Sequence, residues 1–196
     1  IFLIHLKNLN SHSNIVISPS SPDANDNITI NSTWTISGST IDRVLFESNH
    51  TGTLTNYSTS NVSTVYNYTI RGTGLSTGTV VSYRFIANNT NSTRNMTPAR
   101  TFSVSLISTN ISASQTSNVV NPNQNNTLWC DYAEAGVGDI TDATVYAEID
   151  SANNTMSYST NRYEYNYSNS ATGSKAWTCI ANKTNFASKR SQASFA

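Results

Sequence analysis

The sequence predicts an all-β protein made of two tandem β-sandwiches, preceded by an extended N-terminal strand. Three observations predict this fold class. Apolar and polar residues alternate in many short segments, as in strands with one buried face. Turn-forming residues separate these segments about every eight to twelve positions, which is typical of a sandwich. No long segment repeats apolar residues at the three- and four-residue spacing of a helix.

The alternation is clearest in the segments 27–35 and 65–70. In the first, Ile28, Ile30, Ser32 and Trp34 share one face, and Asn27, Thr29, Asn31 and Thr33 share the other; in the second, Tyr66, Tyr68 and Ile70 oppose Asn67 and Thr69. Side chains of a strand point alternately to the two sides of the sheet. Each segment therefore reads as a strand with a buried apolar face and a polar outer face.

These patterns divide the chain into an N-terminal strand with its linker (1–14), a first sandwich (15–107) and a second sandwich (108–196). The predicted strands are 15–18, 27–35, 42–47, 53–57, 64–71, 79–88 and 99–106, followed by 109–113, 126–133, 143–149, 155–160, 162–167, 175–181 and a weak 186–195.

Fourteen Asn-x-Ser/Thr sequons occur in the 196 residues. They begin at Asn27, Asn31, Asn49, Asn56, Asn61, Asn67, Asn88, Asn91, Asn95, Asn110, Asn125, Asn153, Asn166 and Asn182. The 27 asparagines and 57 serines and threonines would give about eight by chance. The number alone is therefore weak evidence, whereas placement on the polar faces of strands is stronger. We expect covalent N-glycans at these sites and no other cofactor.

Charged residues are 11% of the chain and the net charge is zero. A globular protein has about a quarter, so attached sugar is expected to replace charge as the hydrated layer. The absence of a basic stripe argues against nucleic acid as a partner. No apolar run is long enough to span a membrane. The chain does not begin with methionine, which fits a mature product without its leader and equally a fragment.

The two cysteines, Cys130 and Cys179, predict a disulfide in a sequon-rich chain of an oxidising compartment. The bond would close a loop of 49 residues and contribute about 4 kcal/mol in the chain-entropy model. Two buried free thiols are the alternative.

Two segments resemble strands of immunoglobulin-like or fibronectin-III domains. The segment 80–87 looks like a penultimate strand, and Leu75 and Tyr83 stand where a tyrosine corner could form. The segment 176–181 resembles the aromatic-x-Cys-x-Ala strand of an immunoglobulin-like domain, with 128–130 as its facing strand.

Catalytic motifs are missing, so the chain is not expected to be an enzyme. His5, His12 and His50 have no cysteine partner nearby, and no zinc-protease, serine-hydrolase or thiol-redox motif occurs. The glycine-rich segment 72–79 lacks phosphate-binding spacing and is predicted to be a loop. An acidic group of Asp131, Glu134, Asp139 and Asp142 could bind calcium, but a solvated loop is the preferred interpretation and no metal site is predicted.

The most apolar stretch of the chain is its first nine residues. Its predicted donor-strand residues are Ile1, Phe2, Leu3, Ile4, Leu6 and Leu9. Three interpretations are open: the remnant of a signal peptide, an additional strand of the first sandwich, or a donor strand that inserts into a neighbouring subunit. The third is favoured because the sandwich already has seven strands, and strand addition would bury an otherwise exposed apolar segment.

A donor strand that inserts into an identical subunit makes a head-to-tail contact that does not close, and so produces a filament. An acceptor groove is expected in the second sandwich, because its last strand, 187–195, is too polar for a good core strand.

The sequon set, the segment 1–9 and the pair Cys130 and Cys179 together resemble the subunit of archaeal threads. The resemblance implies a glycosylated extracellular filament, joined by donor strands and used in adhesion or biofilms. The alternative function is an S-layer-associated or stalk-type binding module on the cell surface.

Overall fold

The computed structural model describes residues 10–36, 39–72, 74–119, 121–168 and 174–195. Within these ranges the chain forms strands and loops, and it divides into two compact units, Ile1–Ser105 and Leu106–Ala196. None of the described residues forms a helix that could cross a membrane. The predicted donor strand, residues 1–9, lies outside the described residues.

The first unit contains nine described strands: β1 (Asn10–Ser18), β2 (Ile28–Ile36), β3 (Ile41–Ser48), β4 (Thr55–Ser58), β5 (Ser60–Val62), β6 (Val65–Ile70), β7 (Val80–Asn89), β8 (Arg94–Met96) and β9 (Arg100–Ser103). The second unit contains another nine: β10 (Thr109–Gln115), β11 (Asn125–Glu134), β12 (Gly138–Asp139), β13 (Thr144–Ile149), β14 (Ala152–Thr155), β15 (Ser157–Ser159), β16 (Arg162–Ser168), β17 (Lys175–Asn182) and β18 (Lys189–Phe195).

Both units have the same antiparallel strand order. The first pairs its strands as β1-β2-β6-β5 and β4-β3-β7-β8, with β9 also on β7. The second repeats this arrangement as β10-β11-β16-β15 and β14-β13-β17-β18, with β12 on β11. Two sheets in this order are the arrangement of an immunoglobulin-like sandwich. The predicted fold class, two tandem sandwiches of this type, is confirmed.

The core of the first unit consists of the inward faces of its two sheets. Ile28, Ile30 and Trp34 of β2 are fully buried, as the alternation predicted. On the facing sheet the ring of Phe46 lies 4.7 Å from Tyr68 and 5.2 Å from Phe85, centroid to centroid. Each buried ring of this size removes a large apolar area from water, which contributes about 1.5–3 kcal/mol.

The core of the second unit is crossed by the predicted disulfide. Cys130 on β11 and Cys179 on β17 are bonded, with their Cα atoms 6.0 Å apart, so the bond joins the two sheets. Trp177, two residues before Cys179, is buried, and its indole N–H donates to Oε1 of Gln115 at 3.1 Å. Tyr163 fixes one end of the sandwich, since its hydroxyl donates to the Ile140 carbonyl at 2.9 Å.

The first strand begins earlier than predicted. We predicted a linker up to residue 14, but β1 starts at Asn10, and Asn10–Ser13 pairs with β2 before a bulge at Asn14. These residues are polar, and they join the sheet at its edge through backbone hydrogen bonds without burying an apolar face. A pattern of hydrophobic side chains therefore could not reveal them.

Several short strands were also missed or merged. The sequence did not predict β5, β8 and β12, and the predicted strand 155–160 is divided between β14 and β15. Leu75 and Tyr83, where a tyrosine corner was predicted, are both buried, and Tyr83 stacks on Phe46. The tyrosine corner itself stays a prediction.

Candidate functional site

All fourteen sequon asparagines lie among the described residues, and none of them is buried. Nine are exposed, namely Asn27, Asn56, Asn61, Asn91, Asn110, Asn125, Asn153, Asn166 and Asn182, and five are partly exposed, namely Asn31, Asn49, Asn67, Asn88 and Asn95. The positions thus agree with an outer surface that can carry sugar. The predicted N-glycans themselves stay a prediction.

The two buried asparagines of the described chain both occupy the middle position of a sequon. Asn89 follows Asn88 and is 2% exposed, and Asn126 follows Asn125 and is fully buried. Because successive residues of a strand point to opposite faces, the middle residue turns inward while the acceptor asparagine turns outward. In these two sequons the acceptor asparagine and the middle asparagine therefore point to opposite faces of the sheet.

Acceptor sites meet across strands on the outer faces. In the first unit Asn31 of β2 lies directly opposite Asn67 of β6, and the hydroxyls of Thr29 and Thr69 are 3.0 Å apart. In the second unit the sequons that begin at Asn125 on β11 and at Asn166 on β16 lie side by side and run antiparallel to each other. The hydroxyl of Thr127 there donates to Oδ1 of Asn166 at 2.9 Å. Direct cross-strand neighbours have Cβ atoms about 4.5–5.5 Å apart.

On the other sheet of the first unit, a sequon asparagine lies next to an ion pair across three neighbouring strands. Asn56 of β4 lies opposite Glu47 of β3, and Glu47 lies opposite Arg84 of β7. Arg84 Nε donates to the Glu47 carboxylate, whose side chain is only 12% exposed. A cleft of about 150 Å³ is lined by Glu47, Leu54, Ser82, Tyr83, Arg84 and Ala99.

The second unit contains a related combination, in which the arginine comes from β18 and the residue opposite Glu148 on β17 is Thr178. Asn153 of β14 lies opposite Glu148 of β13. An Arg190 nitrogen is 3.9 Å from the Glu148 carboxylate, and the Glu148 side chain is 33% exposed. Strand alternation could have placed these glutamates on the outer face. Their arginine partners come from strands distant in sequence and could not be predicted.

The first unit has an open sheet edge. β4 pairs with β3 from Leu45 to Ser48 only, and the Thr59 hydroxyl donates to the Val44 carbonyl at 2.8 Å, so within the described ranges no strand pairs with residues 41–43 on that side. A cleft of about 420 Å³ extends along this edge between 41–45 and 58–61, and a second, of about 360 Å³, lies next to Trp34 and Thr64. Both clefts include Ile41 and Tyr66.

We expected an acceptor groove at the last strand of the second sandwich. The polar strand β18 pairs with β17 along its whole length, from Lys189 to Phe195, and Phe195 is buried. The backbone of a strand needs no apolar side chains to pair, and a single aromatic ring anchors its end. The position beside β17 is therefore filled, and an acceptor groove elsewhere in this unit stays a prediction.

An aromatic cluster surrounds His50 in the first unit. Its ring lies 4.5 Å from Tyr57 and 5.7 Å from Tyr68, and its Nδ1 is buried without a hydrogen-bond partner in the described residues. Removal from water penalises the charged imidazolium, so burial lowers the pKa of His50. The second described histidine, His12, packs against Trp34 at 5.4 Å.

Among the described residues no group of histidine, cysteine and carboxylate side chains is arranged to hold a metal ion. Two of the four acidic residues considered for calcium have side-chain partners. Asp142 accepts from Lys183, and Asp131 accepts from the Ser112 hydroxyl at 3.0 Å. The Lys183 hydrogen bond lowers the pKa of Asp142.

No protein-family model and no curated protein matches the sequence. Solved structures do match its fold. The titin domains Z1Z2, solved in complex with telethonin, are 10% identical, cover 96% of this chain and 93% of their own, and give a TM-score of 0.53. The fibronectin(III)-like modules of CbhA from Clostridium thermocellum are 16% identical over 91% of this chain and 92% of theirs, with a TM-score of 0.35. At these identities the titin match shows the fold alone.

Proposed function

We propose that this chain is the structural subunit of an extracellular, glycosylated filament, in which residues 1–9 of one copy insert as a donor strand into the next. The observation that carries the proposal is the distribution of acceptor sites along the chain. Fourteen of them lie outside the cores of two sandwiches, whereas the most apolar segment, residues 1–9, contains no sequon.

The described architecture supports a mechanical, non-enzymatic role. Each unit is a sandwich with its own core, and the second is cross-linked by a disulfide between its sheets. A disulfide persists in an oxidising compartment outside the cytosol. The cleft of about 420 Å³ in the first unit lies along the edge of a sheet.

The chain also offers a place for an added strand. Residues 41–43 of β3 lie at an edge that no described strand covers, beside a cleft of about 420 Å³ in the first unit. An inserted strand satisfies backbone groups at such an edge and places alternate side chains in adjacent pockets. Insertion of each copy into the next is a heterologous contact, which continues without closing and builds a filament that serves adhesion or biofilm formation.

Deletion of residues 1–9 tests the proposal, because β1 begins at Asn10 and keeps its pairing with β2. We expect filaments of the intact chain and monomers of the truncated chain by negative-stain electron microscopy. Unchanged filaments of the truncated chain would overturn the donor-strand mechanism. Persistent monomers of the intact chain at high concentration would contradict the filament and favour the stalk-type binding module.

A matched pair of point variants sharpens this test. In an inserted extended strand, Ile4 would share a face with Phe2 and Leu6, whereas the charged Lys7 would point to the opposite face. We expect Ile4→Asp to abolish polymerisation, since a carboxylate cannot enter an apolar pocket unpaired. Lys7→Asp is expected to leave filaments in place. Equal effects of the two variants would argue against insertion of one face.

A further inference from the structure

We infer that two ion pairs bind the first sugar of a neighbouring N-glycan. Glu47 with Arg84 binds the sugar on Asn56, and Glu148 with Arg190 binds the sugar on Asn153. This inference rests on the glycosylation contained in the proposed function and goes beyond it. It assigns to two ion pairs the binding of a covalently attached sugar, which is rich in hydroxyl groups and carries a C–H face.

The first argument is distance. Asn56 and Glu47 are direct cross-strand partners on the outer face, as are Asn153 and Glu148. Their Cβ atoms are therefore about 4.5–5.5 Å apart. A sugar attached to the asparagine Nδ2 begins within reach of the glutamate carboxylate, so contact needs no movement of the backbone.

The second argument is the chemistry of the pair. The Arg84 side chain occupies one oxygen of the Glu47 carboxylate through its Nε. An ionised carboxylate accepts about four hydrogen bonds, so sites remain for sugar hydroxyl or amide hydrogens. Hydrogen bonds to charged groups are stronger than those between neutral groups, and this carboxylate is only 12% exposed.

The third argument is shape. The cleft lined by Glu47 and Arg84 has a volume of about 150 Å³, and it is bordered by Leu54, which is 60% exposed. A cavity of about 150 Å³ holds a benzene ring. The cleft therefore takes part of one six-membered sugar ring, whose C–H face would cover the otherwise exposed leucine.

Recurrence in the second unit is an independent observation. Asn153, Glu148 and Arg190 repeat the combination of acceptor, carboxylate and guanidinium on the corresponding strands β14 and β13 and on β18. Asn110, by contrast, lies opposite Ala133.

A double-mutant cycle tests the inference. The full chain is produced in a host that N-glycosylates and in a host that does not, each as wild type, Asn56→Gln, Glu47→Gln and the double variant. Thermal unfolding of the first unit is followed. We expect the two substitutions to couple by about 3 °C in Tm in the glycosylated protein and to be additive in the bare protein.

The matched control replaces Asn56→Gln by Asn110→Gln, which should be additive with Glu47→Gln in both hosts. Additive effects of Asn56→Gln and Glu47→Gln in the glycosylated protein overturn the inference. If Glu47→Gln does not fold, the cycle of Glu148→Gln and Asn153→Gln in the second unit decides it in the same way.

Glycopeptide mass spectrometry separates this inference from the proposed function. If Asn56 and Asn153 carry no sugar in a chain that is glycosylated elsewhere, the two sugar-binding sites are overturned and the glycosylated filament is not. A chain without sugar at any sequon would overturn both.

Discussion

The side-chain oxygen of Asn126 accepts a hydrogen bond from the hydroxyl of Thr116 at 2.6 Å. The same oxygen accepts from the Ser117 N–H at 3.1 Å, and the Asn126 amide donates to the Ser117 carbonyl at 3.1 Å. A fully buried amide thus holds the turn that links β10 to β11. Its neighbour Asn125 is an exposed sequon acceptor, so two adjacent asparagines have opposite roles.

Asn126→Ala is expected to lower the free energy of unfolding of the second unit by about 2–3 kcal/mol. The substitution removes the three hydrogen bonds that the Asn126 side chain makes with Thr116 and Ser117, each worth about 0.5–1.5 kcal/mol. Urea unfolding followed by fluorescence measures the change. Asn125→Gln in chain made without glycosylation is the control and should be within about 0.5 kcal/mol of wild type. Equal losses in the two variants would contradict the assigned roles.

The disulfide makes a second prediction. Cys130→Ala with Cys179→Ala should destabilise the second unit by about 4 kcal/mol, because the 49-residue loop no longer restricts the unfolded chain. Denaturant unfolding with and without a reducing agent measures this. The reductant should reproduce the effect in the wild type and leave the double variant unchanged. A shift in the unfolding of the first unit would argue against the assignment of the bond to one sandwich.

Period-two alternation was sufficient to predict the long central strands. The face that contains Ile28 and Trp34 is buried as expected, and the facing pair Cys130 and Cys179 is joined. Side-chain burial on one face of a strand leaves a pattern in the sequence, whatever the strand pairs with. Fold class and disulfide could therefore be predicted without knowledge of the pairing.

Edge strands and buried polar groups could not be predicted in this way. The start of β1 at Asn10 and the pairing of the polar strand β18 depend on backbone hydrogen bonds, which leave no side-chain pattern. Burial of Asn89 depends on Ser39, 50 positions away, whose hydroxyl accepts from its amide. The arginine partners of the outward glutamates are likewise set by strand order.

Acid should weaken the first unit through His50. Burial lowers its pKa in the folded state below the ordinary value of 6.5, so the unfolded state binds a proton more readily. The contribution of neutral His50 to the free energy of unfolding is complete above a pH of about 6.5, and it is lost as the pH falls through the folded-state pKa. Chemical unfolding at a series of pH values measures it.

Replacement of the imidazole provides the control for this pH dependence. His50→Phe keeps a ring against Tyr57 and Tyr68 without a titrating group. We expect the variant to retain more of its stability between pH 6.5 and pH 4 than the wild type does. Parallel pH profiles of the two proteins would show that protonation of His50 does not control the loss.

Two glycines of one loop offer a test of backbone packing. A Cβ atom built on Gly72 would lie 2.2 Å from the Asp26 carbonyl oxygen and 2.6 Å from the Asn25 carbonyl carbon, both of them backbone atoms that cannot move alone. Gly74 has no atom within 4 Å of the same position. We expect Gly72→Ala to destabilise the first unit by about 3 kcal/mol, as overpacking and backbone shifts do, and Gly74→Ala to change stability by less than about 1 kcal/mol. Thermal and urea unfolding measure both variants, and a stable Gly72→Ala variant would show that the segment around Asp26 can move away from this loop.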